Sequence, residues 1–314
     1  MLRRLVALAA LVFSLAAPAL AEPIKVVVPF AAGGPVDMYA RLIAMEMQTR
    51  LKTDLVVENR GGAGGVLATE QVARAAPDGK TLLFASSGSH VISAALRTGA
   101  LIYDPVKSFT PIGYLGSVPM LMVVSADSPI KSLAELIDKA RAEKLSYGSA
   151  GAGSTMHIIG EVFNTEAKVK TAHVPYRGFG PAMNDLLGGH IQLLSADLPI
   201  LVPLVKSGKV RALALFAAER TPLLPDLQTS AELGYPGMLM GNWYGMLAPA
   251  GLPADVRASL EKAMVEGMSS PALAQRMDEG GLRGKADSKG FVERLERDAA
   301  YWGPQIKKLG ITAE

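Results

Sequence analysis

A run of valines that ends in four small residues and reopens as a helix constrains this chain more than any other feature. In residues 26–47, VVVPFAAGGPVDMYARLIAMEM, the β-branched start reads as a buried strand. Val36, Tyr39, Ala40, Ile43 and Met47 then share one face of a 3.6-residue helix. Between them stand Ala31, Ala32, Gly33 and Gly34, which cost backbone entropy and bury little surface. Pro35 fits the first helical position, and Asp37 the first turn, where a carboxylate suits the helix dipole. The segment is either a tight turn with no ligand or an anion site with backbone N–H donors.

The pattern recurs at 145–163, LSYGSAGAGSTMHIIGEVF. A strand is followed by Ala150, Gly151, Ala152 and Gly153, then by a helix with Ser154 as N-cap and Thr155 and His157 in its first turn. Two such loops in separate βα units suggest one ligand held between them, because open α/β sheets bind at the carboxyl ends of their strands. A third segment, SSGSH at 86–90, adds the hydroxyls of Ser86 and Ser87. None has the G-x-x-x-x-G-K-[ST] or G-x-G-x-x-G spacing of a nucleotide loop. RGGAGG at 60–65 matches neither pattern and reads as a plain turn. An anion site without a dedicated lysine points to a carboxylate rather than a triphosphate.

Strand-like segments at 24–29, 55–58, 81–85, 120–125, 145–149, 173–176, 191–195 and 211–216 alternate with helical ones at 66–75, 133–142, 155–166 and 182–187. The C-terminal part is helical in three pieces, 254–267, 271–279 and 289–309. This is an α/β fold class, with mostly parallel sheets flanked by helices. No Pro/Gly linker divides the chain, which suits two lobes joined by crossing strands.

Residues 1–21 read as a cleaved signal peptide: basic Arg3 and Arg4, an apolar run at 5–17, and Ala19-Leu20-Ala21 as the cleavage site, cut after Ala21. The remaining 293 residues contain no cysteine and no run of 18 apolar residues. Disulfides, thiolate catalysis and cysteine-based metal sites are excluded, and stability must come from a large core. With Arg3 and Arg4 removed the net charge is near +1, and no basic stripe marks a nucleic-acid partner.

Enzyme readings find little support. His90, His157, His173 and His190 show no H-x-H or H-x-x-x-H pairing, so no metal or cofactor is expected. Ser154 is not in G-x-S-x-G, and a capping serine accounts for it better than a nucleophile beside His157. Asp197, at the end of an apolar strand, is either a turn or cap aspartate or a ligand contact. Arg177 is either a solvated loop charge or a bidentate carboxylate clamp. Trp243 and Tyr244 read as core or inter-lobe packing.

VVVPFAAGGPVD, VVENRGGAGG, AAPDGKTLLF, YDPVKSFTPIG, SAGAGSTMH, HVPYRG, DLLGGHIQLL, GKVRALAL and WYGMLAPAGLP occur in the order found in Bug-type receptors. The chain thus resembles, over nearly all its mature length, the TctC-like solute-binding proteins of tripartite tricarboxylate transporters. The resemblance implies a periplasmic receptor of the two-lobed Venus-flytrap type (type II-like). Lobe 1 is expected at 22–123 and 246–314 and lobe 2 at 124–245, with crossings near Val123 and Gly245. It implies a carboxylate gripped by residues 31–34 and 151–157, with Ser87, Ser154 and Thr155 adding hydroxyls. The ligand class stays open among dicarboxylates, tricarboxylates, aromatic acids and amino acids. One departure stands out: many members place an acid one position before that of Asp197, and a usual hydroxyl position is Ile200 here. Asp197 is expected to face the distal end of the ligand, disfavouring a second carboxylate or favouring an amino group. The expected function is a monomeric, non-enzymatic receptor that delivers a small carboxylate to membrane transporter subunits. The alternatives are a ligand-sensing partner of a membrane sensor and a secreted hydrolase.

Overall fold

The structure, a computed structural model, describes residues 22–97, 101–282, 284–285 and 287–312. The expected signal segment lies outside them. The first part of the chain runs β1 (Ile24–Val28), α1 (Pro35–Leu51), β2 (Leu55–Asn59), α2 (Val66–Ala73), β3 (Thr81–Ser86), α3 (Ser93–Leu96) and β4 (Phe109–Ser125). There follow α4 (Leu133–Ala142), β5 (Ser146–Ser149), α5 (Thr155–Glu166), β6 (Ala172–Pro175), α6 (Phe179–Leu187), β7 (Leu193–Asp197), α7 (Leu198–Lys206) and β8 (Val210–Leu215). The chain closes with β9 (Gly241–Pro249), α8 (Ala254–Met268), α9 (Pro271–Glu279) and α10 (Ser288–Leu309). A 3-10 turn at Ala63–Gly65 precedes α2, and a π-helical turn at Gly88–Ile92 precedes α3. Among the described residues no helix is long and apolar enough to cross a membrane.

Two sheets share the long strand β4. One is ordered β2-β1-β3-β9-β4, with β1 parallel to β2 and β3, and β9 antiparallel to β3 and β4. The other is ordered β6-β5-β7-β4-β8, with β5 parallel to β6 and β7, and β4 antiparallel to β7 and β8. Each sheet therefore runs second, first, third, crossing strand, fourth. The sheets are mixed rather than mostly parallel because each incorporates a strand that arrives from the other lobe and runs against its neighbours.

β4 pairs with β9 up to Pro119 and with β7 from Met120 onward. β9 begins at Gly241. Both crossings thus lie three to four residues ahead of Val123 and Gly245. β-Strands fully buried on both faces read as continuous apolar runs, and Val26, Val27 and Val28 at 0% exposure fit that rule. Helix α1 buries Val36, Tyr39, Ala40, Ile43 and Met47 against this sheet. In the second lobe, Leu133, Leu136 and Ile137 of α4 and Ile158, Ile159 and Phe163 of α5 do the same.

Candidate functional site

The loop after β1 is shaped by its own helix. Gly34 is the N-cap of α1 and Pro35 opens it, a position where a missing N–H costs nothing. Asp37 is buried, and its carboxylate accepts from Gly33 N at 3.0 Å, Arg41 Nε at 3.0 Å and Asn59 Nδ2 at 2.9 Å. Burial pushes this carboxyl up, but the bonds from Arg41, Gly33 and Asn59 outweigh it and leave its pKa below the ordinary value. Asp37 therefore braces the loop from behind. Ala32 and Gly33 are exposed, and the Ala31 amide donates to the Arg177 carbonyl at 3.1 Å.

The loop after β5 is braced in the same manner. Ser154 caps α5, its Oγ accepting from His157 N at 3.3 Å. The His157 ring reaches back, Nδ1 accepting from Gly153 N at 3.1 Å. Gly151 N donates to Ser149 Oγ at 3.0 Å, and Ser149 Oγ meets His173 Nε2 at 2.5 Å. The His157 and His173 rings stack with centroids 4.0 Å apart. Burial depresses both imidazoles to about 4, with Arg97 adding to the effect on His157 and His157 adding to it on His173. No bond joins the Ser154 hydroxyl to the His157 ring, so the pair is a cap and a brace, not a nucleophile and base.

These two helix starts meet at one small cavity of about 30 Å³, room for one or two waters. Its wall is formed by Gly34, Pro35 and Val36 from α1, Ser154, Thr155 and Met156 from α5, and Phe30, Ser86, Ala150, Phe179, Asp197 and Asn242. Gly34, Val36, Thr155 and Met156 are all buried, and no protein group among the described residues accepts from their amides. Buried N–H groups without an acceptor are rare and costly. The positive ends of two helices add to the same field.

A polar chain that includes Asp197 and Asn242 of the cavity wall crosses between lobes. Ser87 Oγ donates to Asn242 Oδ1 at 2.7 Å, Asn242 Nδ2 donates to Asp197 Oδ2 at 2.9 Å, and the Tyr244 hydroxyl donates to the same oxygen. Asp197 Oδ1 is buried with no hydrogen-bond partner among the described residues. Burial lifts this carboxyl to about 6 against the pull of the Tyr244 and Asn242 bonds. Asp197 occupies the N-cap position of α7, yet its side chain makes no capping bond. Tyr244, expected as packing, is buried and also holds this acid.

Arg177 is placed elsewhere than expected. Its side chain is exposed and lines an outer groove of about 640 Å³ with Arg97, Tyr176 and Gly151, because its backbone carbonyl is what meets residue 31. Gly151 likewise faces that groove rather than the cavity. Of the expected residues, Gly34, Ser86, Ser154, Thr155 and Asp197 share the cavity wall, while Ser87 reaches it through Asn242. Phe30, Met156, Phe179 and Asn242 were not anticipated; only the small-residue flanks of Phe179 in RGFG hint at one of them.

The glycines of RGGAGG make the inter-lobe seam. A Cβ on Gly64, which has φ +65°, would sit 2.0 Å from the Ala152 carbonyl oxygen across the cleft. One on Gly88 would sit 2.6 Å from the Thr155 amide nitrogen. Ser93 Oγ donates to the Gly153 carbonyl at 3.3 Å and Arg97 to the Ala152 carbonyl at 3.3 Å, tying the first lobe to the second. Among the described residues no cluster of His, Asp or Glu could hold a metal ion.

Residues 39–311 match the profile of the tripartite tricarboxylate transporter family receptor, TctC. The periplasmic binding protein BugD is 36% identical with a TM-score of 0.87, the match covering 92% of this chain and 98% of that one. MatC from Rhodopseudomonas palustris, solved with bound malate, is 33% identical with a TM-score of 0.83, covering 90% and 98%. Rpa4515 of R. palustris, solved with adipate, is 34% identical with a TM-score of 0.86, covering 92% and 98%. The TM-scores show that these three proteins share the fold of this chain.

Proposed function

The chain belongs to the tripartite tricarboxylate transporter receptor family, and from that premise we propose that it is a periplasmic receptor, not an enzyme, for one small organic carboxylate. The four buried amides of Gly34, Val36, Thr155 and Met156, aimed from two helix starts at one cavity, carry the proposal. A carboxylate has the lone pairs to accept from several of them at once, and the dipoles of α1 and α5 favour its charge. The Ser154 and Thr155 hydroxyls extend the grip. Malate in MatC and adipate in Rpa4515 support a carboxylate as the ligand class.

The cavity is too small for such an acid, so the lobes must part to admit it. Parting about the crossings at 119–120 and 240–241 breaks the Ala31–Arg177, Ser93–Gly153 and Arg97–Ala152 bonds. The acid then bridges the two helix starts and the lobes close again on it, so binding shifts the population from the open to the closed form. The closed surface is what membrane transporter subunits would read, with the receptor working as a monomer.

The test is thermal unfolding of the chain from residue 22, unfolded and refolded to strip any bound acid, with a panel of carboxylates. A ligand at about a hundred times its Kd adds about 2.7 kcal/mol, a shift of several degrees. A panel of di-, tri- and aromatic carboxylates and amino acids in which none shifts the midpoint would overturn the carboxylate reading.

A further inference from the structure

We infer that the ligand is an amino-carboxylate, with an ammonium group opposite the carboxylate, and that Asp197 is the partner of that ammonium. The inference rests on the receptor reading above and names its substrate class. Asp197 is 2% exposed and forms part of the same cavity wall as the four unpaired amides. Its Oδ2 takes bonds from Asn242 and Tyr244, whereas Oδ1 takes none. No Lys, Arg or His among the described residues forms an ion pair with it. A buried acid is normally paired. Capping does not account for its burial, since the carboxylate does not cap the helix it begins.

The neighbours rule against a second carboxylate at this end. Asn242 donates from its amide nitrogen to Asp197 and, at 3.5 Å, to the Tyr244 hydroxyl oxygen, while its carbonyl oxygen accepts from the Ser87 hydroxyl. The Tyr244 proton is committed to Asp197 as well. What remains is the free Oδ1, in a wall shared with apolar Phe30, Phe179 and Met156, since the Ser86 hydroxyl is engaged with Ser89. An ammonium brings three donors and the missing positive charge. A second carboxylate would set like charges together in a desolvated site. The cavity wall thus combines unpaired N–H donors with a lone acid.

Calorimetric titration at about pH 7.5 tests this with three series of matched chain length: amino-carboxylates, dicarboxylates and plain alkanoates. The expected result is an amino-carboxylate binding at least about tenfold tighter than its matched dicarboxylate, with Asp197→Asn erasing most of that preference. Unfolding curves of the variant establish that it folds, and the wild-type ranking decides alone should it not. A dicarboxylate that binds as tightly as its amino counterpart, or a ranking that Asp197→Asn leaves intact, overturns the inference while the receptor reading stands. Failure of every series, and of the tricarboxylates and aromatic acids of the wider panel, to bind overturns the receptor reading itself.

Discussion

Asp37 and His157 stand behind the cavity between the two helix starts, and their effect is exerted on loops. Each sits in the first turn of a helix and accepts the amide of a glycine four residues earlier, Gly33 or Gly153. That fixes which N–H groups stay free to face a ligand. The opposite wall of the seam depends on residues with no side chain at all. Gly64→Ala would carry a left-handed φ costing about 1–2 kcal/mol in any state, and a Cβ 2.0 Å from the Ala152 oxygen only when the lobes meet. Ligand affinity should therefore fall at least about tenfold. Small-angle scattering should show a liganded particle that stays extended, and wild-type affinity with normal compaction would refute the seam. This glycine is not legible in the sequence, because its constraint comes from residue 152 in the other lobe. Asn242 is hidden for the same reason: its partners are 45 and 155 residues away.

Elements with their own local punctuation are the ones the sequence specifies best. Helices α4, α5 and α9 begin where Ser132, Ser154 and Ser270 accept from the third residue onward, and their bounds match the sequence reading. Removing one such cap has a calculable effect. Ser154→Ala should lower stability by about 1 kcal/mol and weaken carboxylate binding, as read by unfolding midpoints and titration. Unchanged stability would mean the Oγ–His157 N bond is immaterial. Elements whose cause is tertiary were missed. The first half of β4 carries Pro111, Gly113 and Gly116, and its pairing with β9 shifts register beside each glycine, so the sheet rather than local propensity holds it extended. α7 contains Pro199 and Pro203 and reads as a breaker; Pro199 falls in the first turn, where an amide is not needed. β9 has no strand signal of its own; Trp243 and Tyr244 are buried, as packing residues should be, on opposite sides of a strand covered on both faces.

At the scale of the whole molecule, charge burial sets a pH dependence. His90, His157 and His173 are each depressed to about 4, chiefly by burial. The unfolded chain takes up their protons near pH 6.5, so the stability they contribute is present above that pH and lost as pH falls toward 4. His90, fully buried, accounts for about 3 kcal/mol, and the more exposed His173 for less because solvent screens it. Asp197 acts in the opposite sense. Its pKa is raised to about 6, so its contribution declines as pH rises from near 4 to 6. The histidines outnumber it, and the unfolding midpoint should drop between pH 6.5 and 4. A midpoint that holds level across that window would contradict the buried neutral histidines.

The strand order bears on how such a receptor can diversify. The second lobe, from Met120 to Met240, is one unbroken length of chain inserted into the first, and it repeats the same strand arrangement. It carries the α5 helix start and Asp197, while the first lobe carries the α1 helix start, Asn242 and Tyr244. A cassette exchanged between two relatives at those junctions would bring a complete half-cleft with it. Only the pair of side chains that hold the acid would have to be matched on the recipient, so a single exchange would alter both ends of the site at once.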